Sequence, residues 1–438
     1  MAPNRPLGAV HAAALVVASM VGTGVFTITG ELLVSLPSPA LVLVAWAVAG
    51  VLALCGAAVY AELGTMMPRV GGEYVYLSRA FGPATGFISG WVALIVGFAA
   101  PTAVGALGFA SYVHAVVPAL PQPAVAVALI IVLTAVHMID VRFGARVQAG
   151  LAGLVVVVIA VFVVAALVTG RLALANLGAE VPVVRSGHGG GVVASAAVFA
   201  VALVQVSYAY SGWNGAAYIA GEVRDPARAL PRALVWGTGL VTLLYLVLNV
   251  VFLCAVPPVA LAGQINVAHI AAGALFGTRG AEIVSSLVAL TAAGFVSAML
   301  MSGPRVAVAM GEDGVFFRAL GRSNARGAPT LAVALQGALA IIAVLTAAFG
   351  PLLVYVGFTL TLNAAAAVLA AFVLRWREPA RERPHRALGW PFSGVLFLAL
   401  ATFMIVLAIR ERPKESAAAL ATLIAGGVAY ALWHRRGR

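Results

Sequence analysis

Two glycine motifs interrupt apolar segments of this chain, at places where an intact membrane helix would satisfy all of its backbone groups. The first is Val21-Gly22-Thr23-Gly24-Val25-Phe26, and the second is Tyr208-Ala209-Tyr210-Ser211-Gly212-Trp213-Asn214. Glycine costs roughly 1 kcal/mol against alanine in a helix interior. A break at membrane depth is tolerated only where the freed N–H and C=O groups are buried in protein or line a cavity. Two such segments in corresponding halves of a chain indicate the binding site of a secondary transporter.

The composition is that of a polytopic membrane protein embedded in a lipid bilayer. Of 438 residues, 63% are hydrophobic and 9% are charged, whereas soluble domains carry about 25% charged residues. The net charge of +12 does not indicate nucleic acid binding, because the basic residues fall in loops between apolar segments. Cys55 and Cys254 lie inside apolar segments and in no C-x-x-C pair, so neither a disulfide framework nor a metal site is predicted.

Twelve segments are long and apolar enough to cross a bilayer, for which about 20 residues suffice. They cover roughly residues 8–36, 39–66, 84–113, 123–140, 144–169, 192–220, 232–256, 281–310, 329–349, 351–374, 390–409 and 416–433. Spans 1–5 and 6–10 have a similar order, and each set opens with its interrupted segment. Because five is odd, the second set enters from the other side of the membrane, which predicts an inverted repeat.

The expected domain organisation follows from this repeat. Residues 1–389 form a ten-helix core, with repeats at about 8–169 and 192–374, and residues 390–438 form helices 11 and 12 and the C-terminus. Placing both termini in the cytoplasm puts 20 of the 26 basic residues on the cytoplasmic side. Because cytoplasmic loops carry an excess of arginine and lysine, this bias predicts the orientation.

Five short motifs occur in one order along the chain and on consistent sides of the predicted membrane. They are Gly22-Thr23-Gly24-Val25-Phe26; Tyr60-Ala61-Glu62-Leu63 with Pro68-Arg69-Val70-Gly71-Gly72-Glu73-Tyr74; Tyr208 to Asn214 with Gly221-Glu222-Val223-Arg224-Asp225-Pro226; Gly303-Pro304-Arg305 with Asp313-Gly314; and Leu374-Arg375-Trp376-Arg377-Glu378-Pro379 with Arg383-Pro384. Through these motifs nearly the whole chain resembles the amino acid–polyamine–organocation (APC) superfamily, and within it the L-type amino acid transporters and their bacterial relatives.

This resemblance implies an all-α, twelve-helix membrane protein with the LeuT-type 5+5 inverted repeat and two extra helices. It also implies a permease of the plasma membrane that moves amino acids or related amines by alternating access. An enzyme is not expected, because the sequence contains no nucleophile–base set, metal cluster or phosphate loop. No cofactor is expected either.

The amides of the first motif are the predicted contact for a substrate carboxylate. An unwound turn at Gly22, Thr23 and Gly24 leaves the N–H groups of the outer half-helix pointing at a cavity. A helix N-terminus carries roughly +0.5 charge and binds carboxylates. Small residues also allow close helix packing, but G-x-G is not the four-residue repeat of a packing face. Met20 and Val25, which flank the turn, belong to the predicted substrate site.

The second motif supplies the complementary groups. Freed carbonyls near Tyr208 and Ala209 can accept hydrogen bonds from an α-ammonium group. The resemblance places Tyr208 at the position of the aromatic gate that closes over the substrate, whereas Trp213 lies beyond the break and is expected to pack behind the hinge. Ser211 stands where related L-type carriers have glycine, so its side chain is expected to shrink the pocket and favour small neutral amino acids.

The resemblance adds positions on the third and eighth predicted helices. Ala99 and Thr102 fall near substrate-pocket positions of the family. Ser297 falls near its second cation site, where an ion would also take carbonyl ligands near Ala18 and Val21.

The coupling ion is not determined by the sequence. Some relatives carry a lysine in the fifth helix in place of a sodium ion, but Val155 occupies about that position here. Sodium coupling, proton coupling and pure exchange all stay open. Sodium-independent transport is the preferred expectation, since Ser297 supplies the one evident side-chain hydroxyl at the site.

The sequence therefore predicts an amino acid transporter that binds a zwitterion between two interrupted helices. A polyamine or organic-cation carrier of the same fold is the alternative. The glycine-rich amides argue against it, because a decarboxylated amine offers them no anion. A channel or a ligand sensor is the remaining alternative of a different class.

Overall fold

The computed structural model describes residues 7–180, 192–346 and 349–436, which are helical apart from short connections. Within these ranges there is no strand beyond a single backbone bridge between Leu7 and Val223. The helices are α1 (Ala9–Met20), α2 (Gly24–Ser35), α3 (Pro39–Met66), α4 (Glu73–Phe81), α5 (Pro83–Val92), α6 (Ala100–Val116), α7 (Gln122–Ile139), α8 (Val141–Val168), α9 (Val192–Ala209), α10 (Gly215–Tyr218), α11 (Pro226–Ala255), α12 (Pro258–Leu261), α13 (Val267–Ser302), α14 (Pro304–Glu312), α15 (Thr330–Thr346), α16 (Phe349–Arg377), α17 (Phe392–Glu411) and α18 (Pro413–Arg436). The predicted all-α class is confirmed.

Ten helical stretches of the described chain are long and apolar enough to cross a membrane. They coincide with the predicted spans except the sixth and ninth, whose apolar helices Ser195–Ala209 and Thr330–Thr346 are shorter. The helix of the sixth predicted span is interrupted after Ala209. A multi-pass membrane protein is therefore confirmed, whereas the count of twelve spans stays a prediction.

Proline and capping residues explain where several helices begin. Ser38 caps α3 by accepting a hydrogen bond from the Leu41 amide at 3.3 Å, and Pro39 follows at the first helical position, where its missing N–H would be unpaired in any case. Asp140 caps α8 through the amides of Arg142 and Phe143, at 2.6 and 2.9 Å.

Two helices extend further than the sequence suggests. The helix that begins at Pro226 continues without interruption through Pro231 to Ala255, whereas the seventh predicted span starts near residue 232. The eighth predicted span begins at Val267, well before the expected boundary near residue 281. Gly277, at φ +75°, joins two helical pieces there, so the hydrophobic pattern of the span starts after this kink.

Helix packing brings together helices at corresponding places in the two predicted repeats. The first predicted span packs through α1 on α8, which is the fifth predicted span. The sixth predicted span packs through α9 on α16, which is the tenth. Across the halves, α3 packs on α11, α6 on α13 and α7 on α15. These contacts join the second span to the seventh, the third to the eighth and the fourth to the ninth. The repeat bounds of about 8–169 and 192–374 stay a prediction, and α17 and α18 pack on α16.

Candidate functional site

The first interruption separates α1 from α2 by a tight turn. Val21 leaves helical geometry with φ −79° and ψ 88°, and the Gly22 amide donates to the Met20 carbonyl at 2.9 Å. Within the described chain, no acceptor bonds the amides of Thr23, Gly24 and Val25. Free donors therefore lie at the start of α2, where the helix dipole is positive.

Side chains of α6 and α13 enclose this turn. Phe295 of α13 fills the space beside Gly22, where an added Cβ would lie 2.8 Å from the ring. The same ring lies close to Gly105 of α6, and a Cβ on Gly108 would meet Thr23 at 2.3 Å. Phe295 cannot be singled out from the sequence, because an apolar residue in an apolar span carries no distinguishing signal.

The second interruption spans the residues between Ala209, the last of α9, and Gly215, the first of α10. Gly212 adopts φ +98°, a conformation that a residue with a Cβ rarely takes. The Ser211 amide donates to the Tyr208 carbonyl at 2.9 Å, and the Gly215 amide donates to the Gly212 carbonyl at 2.8 Å. The turn thus satisfies part of its own backbone and requires glycine at position 212.

The two interruptions are in direct contact. A Cβ on Gly212 would lie 2.3 Å from the carbonyl oxygen of Ser19, near the end of α1. A Cβ on Gly24 would lie 2.9 Å from the Cβ of Ala209, at the end of α9. Glycine is therefore needed on both segments to let their backbones cross at this distance.

Tyr245 of α11 ties the two interruptions together. Its hydroxyl lies 2.6 Å from the carbonyl oxygen of Met20 and 3.1 Å from that of Ala209. Both carbonyls belong to helix ends and lack the partner that an uninterrupted helix would supply. Sequence reasoning missed Tyr245, since nothing in its local pattern shows which backbone lies opposite.

A cavity of about 60 Å³ adjoins the second interruption. Ser211, Gly212, Trp213 and Asn214 form one wall, and residues of α3, α4, α16 and α17 contribute to the others. The volume holds several water molecules. Among the described residues, none of the turn at 21–23 lines it. The predicted pocket residue Ser211 thus faces open space, whereas the first interruption is closely packed.

The other predicted substrate residues are buried around the crossing. Tyr208 and Ala209 form the buried end of α9. Ala99 closes a π-helical turn that precedes α6, and the Thr102 hydroxyl donates to the Phe98 carbonyl of the same helix at 2.6 Å. Trp213 packs edge-on against Tyr60, with ring centroids 4.7 Å apart.

The predicted ion ligands are all buried, and the hydroxyl of one of them already has a hydrogen-bond partner. Ala18 and Val21 are fully buried near the end of α1. The Ser297 hydroxyl lies 2.9 Å from Nε2 of His137 on α7, and both side chains are buried. This hydroxyl is therefore engaged by a neighbouring helix, and the ion site stays a prediction.

Glu222 lies just after the interrupted sixth segment and bonds to two other parts of the chain. Its carboxylate pairs with the buried Arg305 of α14, with Nε and Oε1 3.0 Å apart. Its carbonyl accepts the Leu7 amide at 3.0 Å, and the Arg224 amide donates to the Leu7 carbonyl at 2.8 Å. The segments before α1 and after α10 are thereby joined to each other and to α14.

Further ion pairs fasten the surrounding helices. Glu62 of α3 accepts from Arg375 Nε at 2.9 Å and from the Ala387 amide at 2.8 Å, and Arg383 lies 3.3 Å away. Hydrogen bonds from Arg381 and Arg79 hold the pKa of Glu378, just beyond α16, below its ordinary value. The family motifs quoted above therefore meet as a network of ion pairs.

This chain is similar to known proteins over nearly its whole length. A family model described as amino acid permease matches residues 7–429, which include both interruptions. The b(0,+)-type amino acid transporter 1 of Rattus norvegicus is 30% identical over 424 residues, covering 94% of this chain and 84% of that protein. The large neutral amino acids transporter small subunit 2 of Homo sapiens is 29% identical over 440 residues, covering 99% of this chain and 81% of that protein.

Proposed function

This chain belongs to the amino acid permease family, and we propose on that premise that it is a secondary transporter, not an enzyme, which carries amino acids by alternating access. The observation that carries the proposal is the crossing of two interrupted helices, one of which presents unbonded amides at Thr23, Gly24 and Val25. The proposed location is the plasma membrane, with both termini in the cytoplasm, in line with the distribution of basic residues.

Recognition of the substrate rests on its two charges. The carboxylate binds the free amides at the start of α2, because hydrogen-bond donors and the positive end of the helix dipole coincide there. The ammonium group binds carbonyls at the end of α9, those of Tyr208 and Ala209. The Ala209 carbonyl already accepts from Tyr245, but a carbonyl oxygen has a second lone pair for the substrate.

Entry of the substrate requires the packed crossing to loosen. Phe295 fills the space beside Gly22, so its ring must turn away before a ligand reaches the amides. Tyr208 then closes over the bound amino acid. On the cytoplasmic side the Glu222–Arg305 pair must separate for α1 and α10 to move away from α14, which releases the substrate.

Small neutral amino acids are the proposed substrates. Ser211 lines the cavity beside the second interruption, and its side chain takes up room that glycine would leave. A polyamine carrier is not favoured, because a polyamine has no carboxylate for the amides of the first turn.

Sodium independence is part of the proposal. The hydroxyl of Ser297, the evident side-chain ligand at the family cation site, already bonds His137. Hard cations prefer several oxygen ligands, and Ala18 and Val21 would add only backbone carbonyls.

Counter-transport in liposomes tests the proposal. Purified protein is reconstituted into vesicles loaded with unlabelled alanine, and uptake of labelled alanine is measured in choline buffer without sodium. We expect internal alanine to accelerate uptake, whereas vesicles loaded with a polyamine or a large aromatic amino acid give a smaller acceleration. Uptake that is indifferent to the internal amino acid would indicate a channel and contradict the proposal.

A further inference from the structure

Glu73 is a buried carboxyl that the transport mechanism above does not use. It is the first residue of α4, a short helix between spans, and its side chain is 2% exposed. Gly72 precedes it at φ +53°, and a Cβ there would lie 2.7 Å from the Tyr218 ring. This close approach places the carboxyl against α10, the half-helix that follows the second interruption.

Four side chains from three other parts of the chain hydrogen-bond to this carboxyl. The Tyr60 hydroxyl of α3 donates to Oε1 at 2.5 Å, and the Asn214 amide donates to the same oxygen at 2.9 Å. The Tyr218 hydroxyl of α10 donates to Oε2 at 3.0 Å, and the Asn363 amide of α16 also donates to Oε2. All four partners are neutral.

Charged groups near α4 are engaged elsewhere. Arg69 pairs with Asp313 on the side of Tyr74, Arg79 pairs with Glu378, and Arg377 of α16 donates to the carbonyl of Ala80. The titratable groups that face the carboxyl are Tyr60 of α3, Tyr218 of α10 and Tyr76 of α4 itself. Within the described residues, Glu73 has no ion-pair partner.

Glu62, eleven residues earlier, shows the opposite arrangement. Its donors are Arg375 and the Ala387 amide, and Arg383 lies at ion-pair distance, 3.3 Å away. Glu62 is therefore ion-paired, whereas Glu73 is not, within the described residues.

The partners of Glu73 can serve either protonation state. A tyrosine hydroxyl donates or accepts, and an asparagine amide that rotates by half a turn presents its oxygen instead of its nitrogen. A protonated Glu73 therefore keeps its hydrogen bonds after a small rearrangement. Burial raises the pKa of this carboxyl above its ordinary value, and the hydrogen bonds from its partners counteract that effect.

Glu73 lies between a segment that the proposed mechanism moves and two helices outside that segment. Asn214 and Tyr218 belong to the interrupted sixth segment, which the proposed mechanism moves, whereas Tyr60 and Asn363 belong to α3 and α16. The carboxyl also lines the cavity of about 60 Å³ beside Ser211, which admits water as a path for protons.

We propose that Glu73 is the proton-binding site through which this transporter couples amino acid uptake to an inward proton gradient. The inference rests on the proposed transport function. With the cytoplasmic side closed, Glu73 takes up a proton from the cavity and keeps its four partners. When α10 moves away, Asn214 and Tyr218 withdraw, water reaches the carboxyl, and the proton leaves to the cytoplasm with the substrate.

Two transport assays in reconstituted vesicles test the transport function and the proton coupling separately. Exchange of labelled against unlabelled amino acid at equal pH tests the function alone. Uptake into empty vesicles with an acidic exterior tests the coupling, and one proton per substrate supports about tenfold accumulation for each pH unit. We expect wild type to do both and Glu73→Gln to retain exchange but lose accumulation. Glu31→Gln, the same change at a half-buried carboxyl of α2 outside this cluster, should retain both.

Two results would overturn the inference while leaving the transport function intact. One is wild-type exchange without any response to the pH gradient, and the other is full gradient-driven accumulation by Glu73→Gln. If Glu73→Gln does not exchange at all, infrared difference spectra of the purified protein at acidic and neutral pH show whether Glu73 binds a proton. We expect a carboxylic acid band in wild type that Glu73→Gln lacks and Glu31→Gln keeps, and an unchanged band in Glu73→Gln would reject the assignment.

Discussion

Substitution of Gly212 by alanine tests the crossing of the two interrupted helices. The added Cβ would lie 2.3 Å from the carbonyl oxygen of Ser19, 2.5 Å from its carbonyl carbon, and 2.7 Å from its Cβ. The first two of these atoms are backbone, so no rotation of a side chain relieves the overlap. The φ of +98° adds backbone strain, because residues with a Cβ rarely adopt it.

The expected loss of stability combines both effects. A residue held in a sparsely populated backbone conformation costs of order 1–3 kcal/mol, and one extra carbon in a packed interior typically costs about 1–3 kcal/mol. Gly212→Ala should therefore lower the free energy of unfolding by about 2–6 kcal/mol. Because the overlap forces the segments of Ser19 and Gly212 apart, amino acid exchange should fall with it.

Gly150→Ala is the matched control, because it makes the same change in α8 where an added Cβ meets no heavy atom within 4 Å. Alanine is the better helix former by roughly 1 kcal/mol, so this variant should be at least as stable as wild type. Thermal unfolding of both purified variants and exchange in liposomes supply the measurements. If Gly212→Ala matches Gly150→Ala in melting temperature and exchange, the close approach of the two interruptions is refuted.

Three further substitutions test the assigned residues. Gly24→Val should abolish exchange without blocking membrane insertion, because even its Cβ would lie 2.9 Å from that of Ala209; near-normal exchange would contradict the amide site. Ser211→Gly should improve competition by bulky amino acids relative to alanine by about 1–3 kcal/mol, and unchanged competition would mean that Ser211 does not select substrates. Tyr208→Ala should slow exchange more than it weakens binding in thermal-shift titrations, whereas equal losses in both would make Tyr208 an anchor.

The spans and their interruptions could be predicted because they depend on local composition. Long apolar stretches, and glycines inside them, mark these features without reference to any other part of the chain. Gly24 and Gly212 were found in this way, and the structure shows a close approach of another backbone or side chain at each. The resemblance motifs also anticipated residues such as Glu62 and Arg375, which form one ion-paired network.

The contacts across the site could not be predicted from the sequence. Phe295 and Tyr245 look like ordinary residues of apolar spans, and their importance comes from the backbone that tertiary packing places opposite. Ser297 was placed beside the first interruption by resemblance, yet its hydroxyl bonds His137, because α7 packs on that side of α13. Glu73 was visible in a motif, but its role depends on partners up to 290 residues away.

An experimental structure with a bound small neutral amino acid is the most direct test of the central claim, that the substrate bridges two interrupted helices. We expect the substrate carboxylate about 2.9 Å from amides of Thr23, Gly24 or Val25, with the ammonium group on carbonyls at the end of α9 and the Phe295 ring displaced from Gly22. An amino acid bound only in the cavity beside Ser211, without contact to those amides, would contradict it.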